Sequence, residues 1–349
     1  MTQEVYTPHQ AATSEPPVID ARRLGKTFGS TAVLRDLSLC VEPGTLFGLI
    51  GPSGSGKTTT VQLCCGHLRP SAGELTVLGE TPTRFSASAR RRLGYLPQQF
   101  VLHPDLTVEQ NVHFAAGLYG LPEWRCRAEV RALLEWLDLW DARQRPARRT
   151  SGGMQRRIAL AAALIHAPDL LFADEPTANL DPILRLRIWQ RFRAFGAAGR
   201  TLLITTQYID EAEYCDRVGL MYDGALIAQG QPEELRRAAF GGDVLRLTLG
   251  PEGTTVAPAQ LLALPDIRLA ERQPDGALRL VVASAAQALP LLLAHLDQAG
   301  ARVETAAQER PTFDEVFIRL IEQHGAHRPA PGRLQTSAAD AGESAGEQP

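Results

Sequence analysis

The chain has 349 residues, which exceeds one domain of typical size, so two folded domains are predicted. A net charge of −3 at pH 7 supplies no basic surface for nucleic acid, and no nucleic-acid partner is expected. No apolar run reaches the ~18 residues of a membrane-spanning helix, and the N-terminus carries no hydrophobic signal segment. The 5 cysteines show no metal-ligand spacing, which indicates a reducing compartment.

Composition and periodicity divide the chain into two folded regions between two tails. Residues 1–17 lack periodicity and residues 324–349 are rich in small and polar side chains, so both tails are predicted to be disordered. From 18 to 240, short apolar strands alternate with helices, which is typical of a parallel α/β sheet. A helical insertion is predicted within this region, at about 100–166.

The region from 243 to 323 has a different order of elements. A strand, a helix, two strands, a helix, a strand and a last helix predict a small ferredoxin-like α+β domain. The pattern by itself assigns this domain no role. In chain order the predicted elements are Val244–Leu249, Ala257–Leu264, two strands around Asp275-Gly276, Ala288–Gln298, Val303–Ala307 and Phe313–Ile321.

Several local patterns in the larger region predict particular elements. Leu46–Ile50 and Leu170–Ala173 are continuous apolar runs, as expected of strands buried on both faces. Thr107, followed three residues later by Gln110, predicts the capped start of a helix. Asp223-Gly224 is typical of a two-residue hairpin turn.

The segment Gly51–Thr58, the phosphate loop, fits the pattern G-x-x-x-x-G-K-[ST] between a buried strand and a helix. Its glycines let backbone N–H groups point at phosphate oxygens, and the helix N-terminus adds roughly half a positive charge. Lys57 is expected to reach the β- and γ-phosphates, and the Thr58 hydroxyl to ligate Mg²⁺. A glycine-rich turn with a chance lysine is the alternative. The predicted nucleotide-binding residues of this segment are Gly51, Pro52, Ser53, Gly54, Ser55, Gly56, Lys57, Thr58 and Thr59.

Two adjacent carboxylates, Asp174 and Glu175, end the second apolar run. A carboxylate at a buried strand end can hold Mg²⁺ through water, while the next residue reaches the attacking water. Asp174 is therefore predicted to be the Mg²⁺ residue and Glu175 the general base. The alternative, that the pair only caps a helix, is disfavoured beside a phosphate loop.

A second candidate anion site begins at Ser151-Gly152-Gly153, which precedes a helical run that ends before Pro168. Serine is a strong N-cap, and two glycines leave the helix N-terminus open to a close anion. Alone, the segment could equally be an ordinary capped helix. Its spacing to Asp174 favours the anion site.

With these motifs in this order, residues 18–240 resemble the ATP-binding cassette (ABC) ATPases. The resemblance implies a P-loop NTPase fold, with a RecA-like sheet core and a helical insertion, and it implies ATP and Mg²⁺ as cofactors. It also implies a head-to-tail homodimer or heterodimer, in which each ATP lies between the phosphate loop of one subunit and the segment Ser151–Gln155, the signature segment, of the other. The signature residues acting in trans are Ser151, Gly152, Gly153 and Gln155.

Four more positions match functional residues of the family. Phe28 lies where the family stacks an aromatic ring on adenine, and Gln98 matches the glutamine that contacts Mg²⁺. Asp181 belongs to the loop that crosses the dimer interface, and it also has the pattern of an N-cap before proline. Gln207 replaces the usual catalytic histidine. Its contact to the γ-phosphate is expected to be weaker, because charge-assisted hydrogen bonds are roughly twice as strong as neutral ones.

Gln207, the segment Met154–Arg157 and the segment Pro311–Phe317 together resemble the drug-export, daunorubicin-resistance branch of the family. The resemblance implies an ATP-hydrolysing exporter subunit, peripheral on the cytoplasmic face of the cell membrane. Closure of its dimer on ATP would drive a separate multi-span permease docked near Phe100–Asn111. The alternatives are an importer ATPase with a regulatory C-terminal domain, a soluble ABC protein outside transport, and a binding-only module that the histidine replacement has inactivated.

Overall fold

The computed structural model describes residues 16–99, 102–250 and 256–326. Most of both predicted tails therefore lies outside the described residues, as do Phe100 and Val101 at the start of the predicted docking segment. Among the helices in these ranges, none combines the length and the apolar character that a bilayer span demands.

Within the described residues, a six-stranded sheet and a three-stranded antiparallel sheet make up the larger domain. The strands in chain order are Ile19–Phe28 (β1), Thr31–Val41 (β2), Leu46–Ile50 (β3), Ala72–Val77 (β4), Leu93–Leu96 (β5), Leu170–Asp174 (β6), Thr201–Thr206 (β7), Arg217–Tyr222 (β8) and Ala225–Gly230 (β9). The helices are Lys57–Cys64 (α1), Ala87–Arg91 (α2), Val108–Leu118 (α3), Glu123–Trp136 (α4), Gly152–Leu164 (α5), Pro182–Ala197 (α6) and Pro232–Phe240 (α7).

The six-stranded sheet has the order β5-β6-β7-β3-β8-β9, and all neighbours pair in parallel except β8 and β9. Every residue of β3 and β6 is buried, which confirms the prediction from their continuous apolar runs. Asp223 and Gly224 join β8 to β9 with φ angles of 47° and 76°. Two consecutive left-handed residues are what a type I′ hairpin turn requires, so the predicted turn is also confirmed.

The three-stranded sheet, in the order β2-β1-β4, is an addition to the parallel α/β sheet that the sequence predicts. In β1, buried Ala21 and Leu24 are separated by two exposed residues, and the register with β2 shifts between them. Such an irregularity breaks the strict alternation of apolar and polar residues by which a half-buried strand is recognised. The antiparallel sheet was therefore not evident from the pattern.

The helical insertion consists of α3, α4 and α5. Thr107 and Gln110 form a reciprocal capping box at the start of α3, as predicted. On α4 and just beyond it, Val130, Leu134 and Leu137 are buried, as expected of an amphipathic helix that packs on the core.

The smaller domain has four strands, Asp243–Leu249 (β10), Ile267–Arg272 (β11), Leu278–Val282 (β12) and Val303–Glu309 (β13). They form an antiparallel sheet in the order β11-β12-β10-β13, with one helix between β10 and β11 and another between β12 and β13. This connectivity is the ferredoxin-like arrangement that the sequence predicts. The predicted helix from Ala257 to Leu264 is wrong in length, since the observed helix spans only Pro258–Leu261. Leu264 precedes Pro265, and a residue before proline is disfavoured in the helical conformation, so the helix could not continue to Leu264. The helices of this domain are Pro258–Leu261 (α8), Ala285–Gln298 (α9) and Phe313–Ala326 (α10).

The last helix, α10, joins the two domains. Phe313, Val316 and Phe317 belong to the same hydrophobic cluster as Leu220 on β8. The helix extends beyond its predicted end at Ile321 and runs through the first residues of the predicted C-terminal tail.

Candidate functional site

The carboxyl ends of three neighbouring parallel strands form one edge of the central sheet. β6, β7 and β3 lie side by side and end at Asp174, Thr206 and Ile50. The phosphate loop follows Ile50, Glu175 follows Asp174, and Gln207 follows Thr206. Ligands of open α/β sheets bind at this kind of edge, so the fold brings the separate sequence motifs together where a site is expected.

Two glycines of the phosphate loop are required by its geometry. A Cβ atom on Gly51 would lie 2.1 Å from the carbonyl oxygen of Met221, which is closer than any real contact. Gly56, the N-cap of α1, has a φ of 101°, a conformation that side chains other than hydrogen strongly disfavour. The loop is thus a tight backbone turn that leads directly into the N-terminus of a helix, the arrangement that favours a bound phosphate.

Lys57 lies inside this loop and is only 4% exposed. Its Nζ donates to the carbonyl oxygens of Gly51 at 2.8 Å and Pro52 at 3.0 Å, and it lies 3.7 Å from Oε1 of Glu175. Burial lowers the pKa of Lys57, while the charges of Glu175 and Asp174 oppose that shift.

Asp174 has the contacts expected of a residue that holds a cation. Its Oδ1 accepts hydrogen bonds from the hydroxyls of Thr58, at 3.1 Å, and Thr205. Its Oδ2 is buried and has no hydrogen-bond partner among the residues that the structure describes. A buried carboxylate oxygen without a donor is costly, and carboxylate and hydroxyl oxygens are suitable ligands for Mg²⁺. The residues present therefore fit the ion that the sequence predicts.

Glu175 is held in an unusual backbone conformation. Its φ of 47° is left-handed, and its N–H donates to Oγ1 of Thr205 at 2.9 Å. Its Oε2 accepts from Nε2 of Gln98 at 3.2 Å. Such a conformation persists only where the surroundings hold it, and it is common at functional sites. Glu175, Gln98 and Lys57, predicted from three separate motifs, thus meet at one carboxylate.

The signature segment forms the N-terminus of α5. Ser151 is its N-cap, with Oγ accepting from the N–H of Met154 at 3.3 Å, which confirms the predicted cap. Gly152 is exposed beside it, whereas Gln155 donates to the carbonyl oxygen of Ala147 at 3.2 Å within the same subunit. A cavity of about 500 Å³ is lined by Gln98, Gln99, Gly152, Gly153, Arg156, Ala178, Asn179 and Leu180.

No residue of the phosphate loop is among the described residues that line this cavity. Within one subunit, the signature segment and the phosphate loop therefore do not share it.

Three other predicted residues lie at or near the surface. Phe28 is 45% exposed, and Nζ of Lys26 lies 4.9 Å from the centre of its ring. Gln207 is exposed directly after β7. Asp181 is the N-cap of α6, its Oδ1 accepting from the N–H of Leu184 at 2.9 Å, which confirms the predicted cap.

The described part of the predicted docking segment is a loop followed by the first turn of α3, and a buried asparagine in that turn holds the loop. Asn111 is 5% exposed, and its Oδ1 accepts from the N–H of His103 at 2.9 Å. Its Nδ2 donates to the carbonyl oxygens of His103, Leu106 and Thr107. Nearby on α3, Phe114 is 46% exposed. The loop thus has a defined shape and lies beside exposed apolar surface.

Two residues of this site received no role from the sequence. The Thr205 hydroxyl donates to the carboxylate of Asp174 and accepts from the backbone N–H of Glu175, and only its position near the end of the strand beside β6 could have indicated it. Arg156, in the first turns of α5, is buried and donates to several carbonyl groups around the catalytic residues. A long basic residue on the buried side of a predicted anion-binding helix was the available signal.

Comparison with known proteins identifies two regions of the chain. The sequence model described as "ABC transporter" matches residues 34–178, and the model described as "ATP-binding protein DrrA1-3-like, C-terminal domain" matches residues 230–321. The Daunorubicin resistance ATP-binding protein DrrA3 of Streptomyces coeruleorubidus is 39% identical over 299 residues, which is 84% of this chain and 93% of that protein. The chain belongs to the ABC transporter ATP-binding family.

Other members of the ABC family show the same relationship. The Nod factor export ATP-binding protein I of Ralstonia nicotianae is 38% identical and covers 87% of this chain and 94% of its own length. The probable multidrug ABC transporter ATP-binding protein YbhF of Escherichia coli is 42% identical over 219 residues. That match covers 63% of this chain, and the chain spans 38% of the length of YbhF.

Solved structures of ABC ATPases have the same fold. An ATP-binding subunit of an ABC transporter aligns with a TM-score of 0.59 at 28% identity, over 64% of this chain and 93% of that one. The ATP-binding cassette MJ0796, determined as a dimer in a post-hydrolysis state bound to ADP and Pi, aligns with a TM-score of 0.56 at 26% identity. It covers 61% of this chain and 98% of its own. The family is thereby established, and the roles of individual residues stay predictions.

Proposed function

We propose that the chain binds ATP with Mg²⁺ and hydrolyses it as the ATP-binding subunit of an ABC exporter. The observation that carries the proposal is the meeting of Lys57, Thr58, Asp174 and Glu175 at one strand edge, where Oδ2 of Asp174 has no donor within the described ranges of the chain. A phosphate-binding cation, two metal-binding oxygens and a base lie together there. Hydrolysis of a phosphoanhydride needs these parts.

Each residue has a distinct part in the proposed reaction. The phosphate loop and Lys57 bind the phosphates, and Thr58, Gln98 and Asp174 would hold Mg²⁺. The ion, when bound, offsets negative charge on the phosphates. Glu175 accepts the proton of the attacking water. Gln207 donates a neutral hydrogen bond to the γ-phosphate, and Phe28 stacks on adenine.

The proposed working unit is a head-to-tail dimer, either of two copies or with a related subunit. The exposed N-terminus of α5 supports it, as does the absence of the phosphate loop from the described lining of the cavity beside Gly152 and Gly153. In the dimer, Ser151, Gly152 and Gly153 contact the γ-phosphate of the partner's ATP, and Asp181 lies at the interface. The phosphate then separates two helix N-termini whose like dipole ends otherwise repel.

The names of relatives support export over import, since DrrA3 is named for daunorubicin resistance and another relative for Nod factor export. The match of residues 230–321 to the DrrA-like C-terminal domain supports the same branch. We therefore place the subunit on the cytoplasmic face of the cell membrane, where a separate multi-span permease docks at Phe100–Asn111 beside Phe114.

Hydrolysis is tested with the purified full chain. Asp174→Asn should lower Mg²⁺-dependent ATP hydrolysis on the order of 10²-fold or more, because a catalytic metal ion contributes several kcal/mol. Asp169→Asn is the matched control, since Asp169 lies just before β6 at its opposite end, in ion pairs with Arg92 and Arg200. Equal rates for the two variants would refute the proposed metal residue.

Export is tested by co-purification of the tagged chain from membranes of its own organism. A single multi-span permease should co-purify, and substitution of Phe114 by a charged residue should release it. Recovery with an extracytoplasmic substrate-binding protein would instead support an importer.

A further inference from the structure

Arg156 is a buried guanidinium surrounded by main-chain carbonyl groups. It lies on α5, one turn after the signature glycines, and is 5% exposed. Its Nη1 donates to the carbonyl oxygens of Pro97 at 3.1 Å and Gln98 at 2.9 Å. Its Nε donates to Pro176 at 3.1 Å, and its Nη2 donates to the carbonyl oxygens of Asp174, at 3.3 Å, and Glu175.

These five acceptors belong to two separate segments, and all but Asp174, the last residue of β6, lie in loops. One loop follows β5 and carries Gln98, and the other follows β6 and carries Glu175. Arginine presents five N–H donors in a planar fork, so a single guanidinium can bind acceptors on both loops at once. Lysine has a single nitrogen and cannot reproduce that spread. Arg156 therefore connects both loops to the first turns of α5.

The contacts surround the strained position of the site. Glu175 has a φ of 47°, and Arg156 binds the carbonyl groups of Asp174, Glu175 and Pro176 on both sides of it. A conformation of this kind costs roughly 1–3 kcal/mol and requires surroundings that hold it. The guanidinium is positioned to do so, because it determines where the carbonyl groups next to Glu175 point.

We propose that Arg156 is a positioning residue for ATP hydrolysis, which holds Glu175 and Gln98 in place and joins them to the helix that carries the signature segment. The proposal rests on the proposed function. It gives one helix two tasks: its N-terminus meets the partner's nucleotide, and its first turns set the base of its own subunit. Engagement of α5 at one site of the dimer is thereby mechanically linked to the carboxylate at the other.

The next residue, Arg157, is a matched control. Its Nη1 donates to the carbonyl oxygens of Leu137, at 2.8 Å, and Asp138, at 3.2 Å, in the helical insertion. Both arginines lie on α5 and donate to carbonyl groups, and burial lowers the pKa of both, although Arg156 is the more buried of the two. Arg157→Gln removes carbonyl contacts from α5 without touching the loops of Gln98 and Glu175.

The experiment compares the purified full-length wild type with Arg156→Gln, Arg156→Lys and Arg157→Gln, with and without Glu175→Gln. Each protein is measured for kcat and KM with Mg²⁺ and ATP, for affinity toward a fluorescent ATP analogue, and for melting temperature. Arg156→Gln should lower kcat by ~10- to 100-fold with little change in KM, as misplacement of a catalytic group does. Arg156→Lys should lose less, and Arg157→Gln should retain the wild-type kcat per folded molecule.

The double variant distinguishes positioning from stability. If Arg156 acts by placing Glu175, then Arg156→Gln should lower the small residual rate of Glu175→Gln by a much smaller factor than it lowers the wild-type rate. Equal factors in both backgrounds, or a kcat loss matched by Arg157→Gln, would overturn the proposal. So would a wild-type kcat in both Arg156 variants. A wild type without Mg²⁺-dependent hydrolysis would refute the proposed function itself, and this inference with it.

Discussion

The ammonium group of Lys57 lies 3.7 Å from a carboxylate oxygen of Glu175, and both residues are nearly buried, with 4% and 8% of their surface exposed. The cation proposed to bind the phosphates is thus the neighbour of the carboxylate proposed to activate water. Since Lys57 also bonds to carbonyl groups of the phosphate loop, phosphate oxygens would compete with Glu175 for its remaining donor. Binding of the triphosphate would therefore free the carboxylate for the water.

Glu175→Gln removes the proton acceptor while keeping the shape of the side chain. We expect hydrolysis to fall on the order of 10²–10⁴-fold, or about 3–5 kcal/mol, because a positioned general base contributes that much. ATP binding should persist, and an ATP-bound dimer should accumulate, which size-exclusion chromatography with and without Mg²⁺-ATP would detect. Near-normal hydrolysis in this variant would exclude Glu175 as the base.

Gln207 is exposed at the end of β7, with an amide that can donate to the γ-phosphate but carries no charge. Gln207→Ala should lower ATPase activity more than Gln207→His, because histidine keeps a donor and alanine does not. Steady-state rates of the three proteins decide the point. If the alanine variant is as active as the wild type, Gln207 has no contact with the phosphate.

Ser151 has one observed role and one proposed role, and two substitutions separate them. Ser151→Ala removes the cap to the N–H of Met154 and should cost about 1 kcal/mol of stability. Ser151→Asp keeps a cap but places a negative charge where the partner's γ-phosphate is proposed to lie. The aspartate variant should melt like the wild type, yet lose ATP-dependent dimerisation and hydrolysis. Normal dimerisation in it would contradict the proposed role in trans.

Glu211 is a fully buried carboxylate in the segment after Gln207, where its Oε2 accepts from Oγ1 of Thr177 at 3.0 Å. Arg185 lies 3.7 Å from its Oε1. Burial raises the pKa of Glu211, and these neighbours partly oppose the shift. A raised pKa means that the folded state binds the proton more tightly than the unfolded state does.

The stability that Glu211 contributes is therefore complete at pH values below the unfolded carboxyl pKa of about 4.3, and it is lost as pH rises through the folded value. In Glu211→Gln this loss disappears, so the unfolding free energy of the variant should improve relative to wild type as pH increases. Urea unfolding of both proteins at a series of pH values above 4 measures the difference. A difference that stays constant, or that changes in the opposite direction, would contradict the expectation.

Much of the site was predictable because most of its functional residues lie in short segments whose residue types alone indicate their chemistry. The order of residues around Lys57 and Thr58 identified a phosphate loop, and the apolar run before Asp174 identified a buried strand end. Helix caps at Thr107, Ser151 and Asp181 were equally accessible, because a cap involves residues only three positions apart. In residues 243–323, each strand and helix was recognisable from its own short pattern, and their order predicted the ferredoxin-like arrangement.

What the sequence determined by itself was therefore local: which residues can bind phosphate, ligate a cation, cap a helix or turn a hairpin. Only the tertiary structure decided which strands are neighbours, and so brought Thr205 to the carboxylate of Asp174 and the backbone N–H of Glu175, and Arg156 to the segments that follow β5 and β6. It also decided the irregular pairing of β1 with β2. The physical reason is that hydrogen bonds between distant segments depend on sheet order and burial, and no short pattern of residues specifies either one.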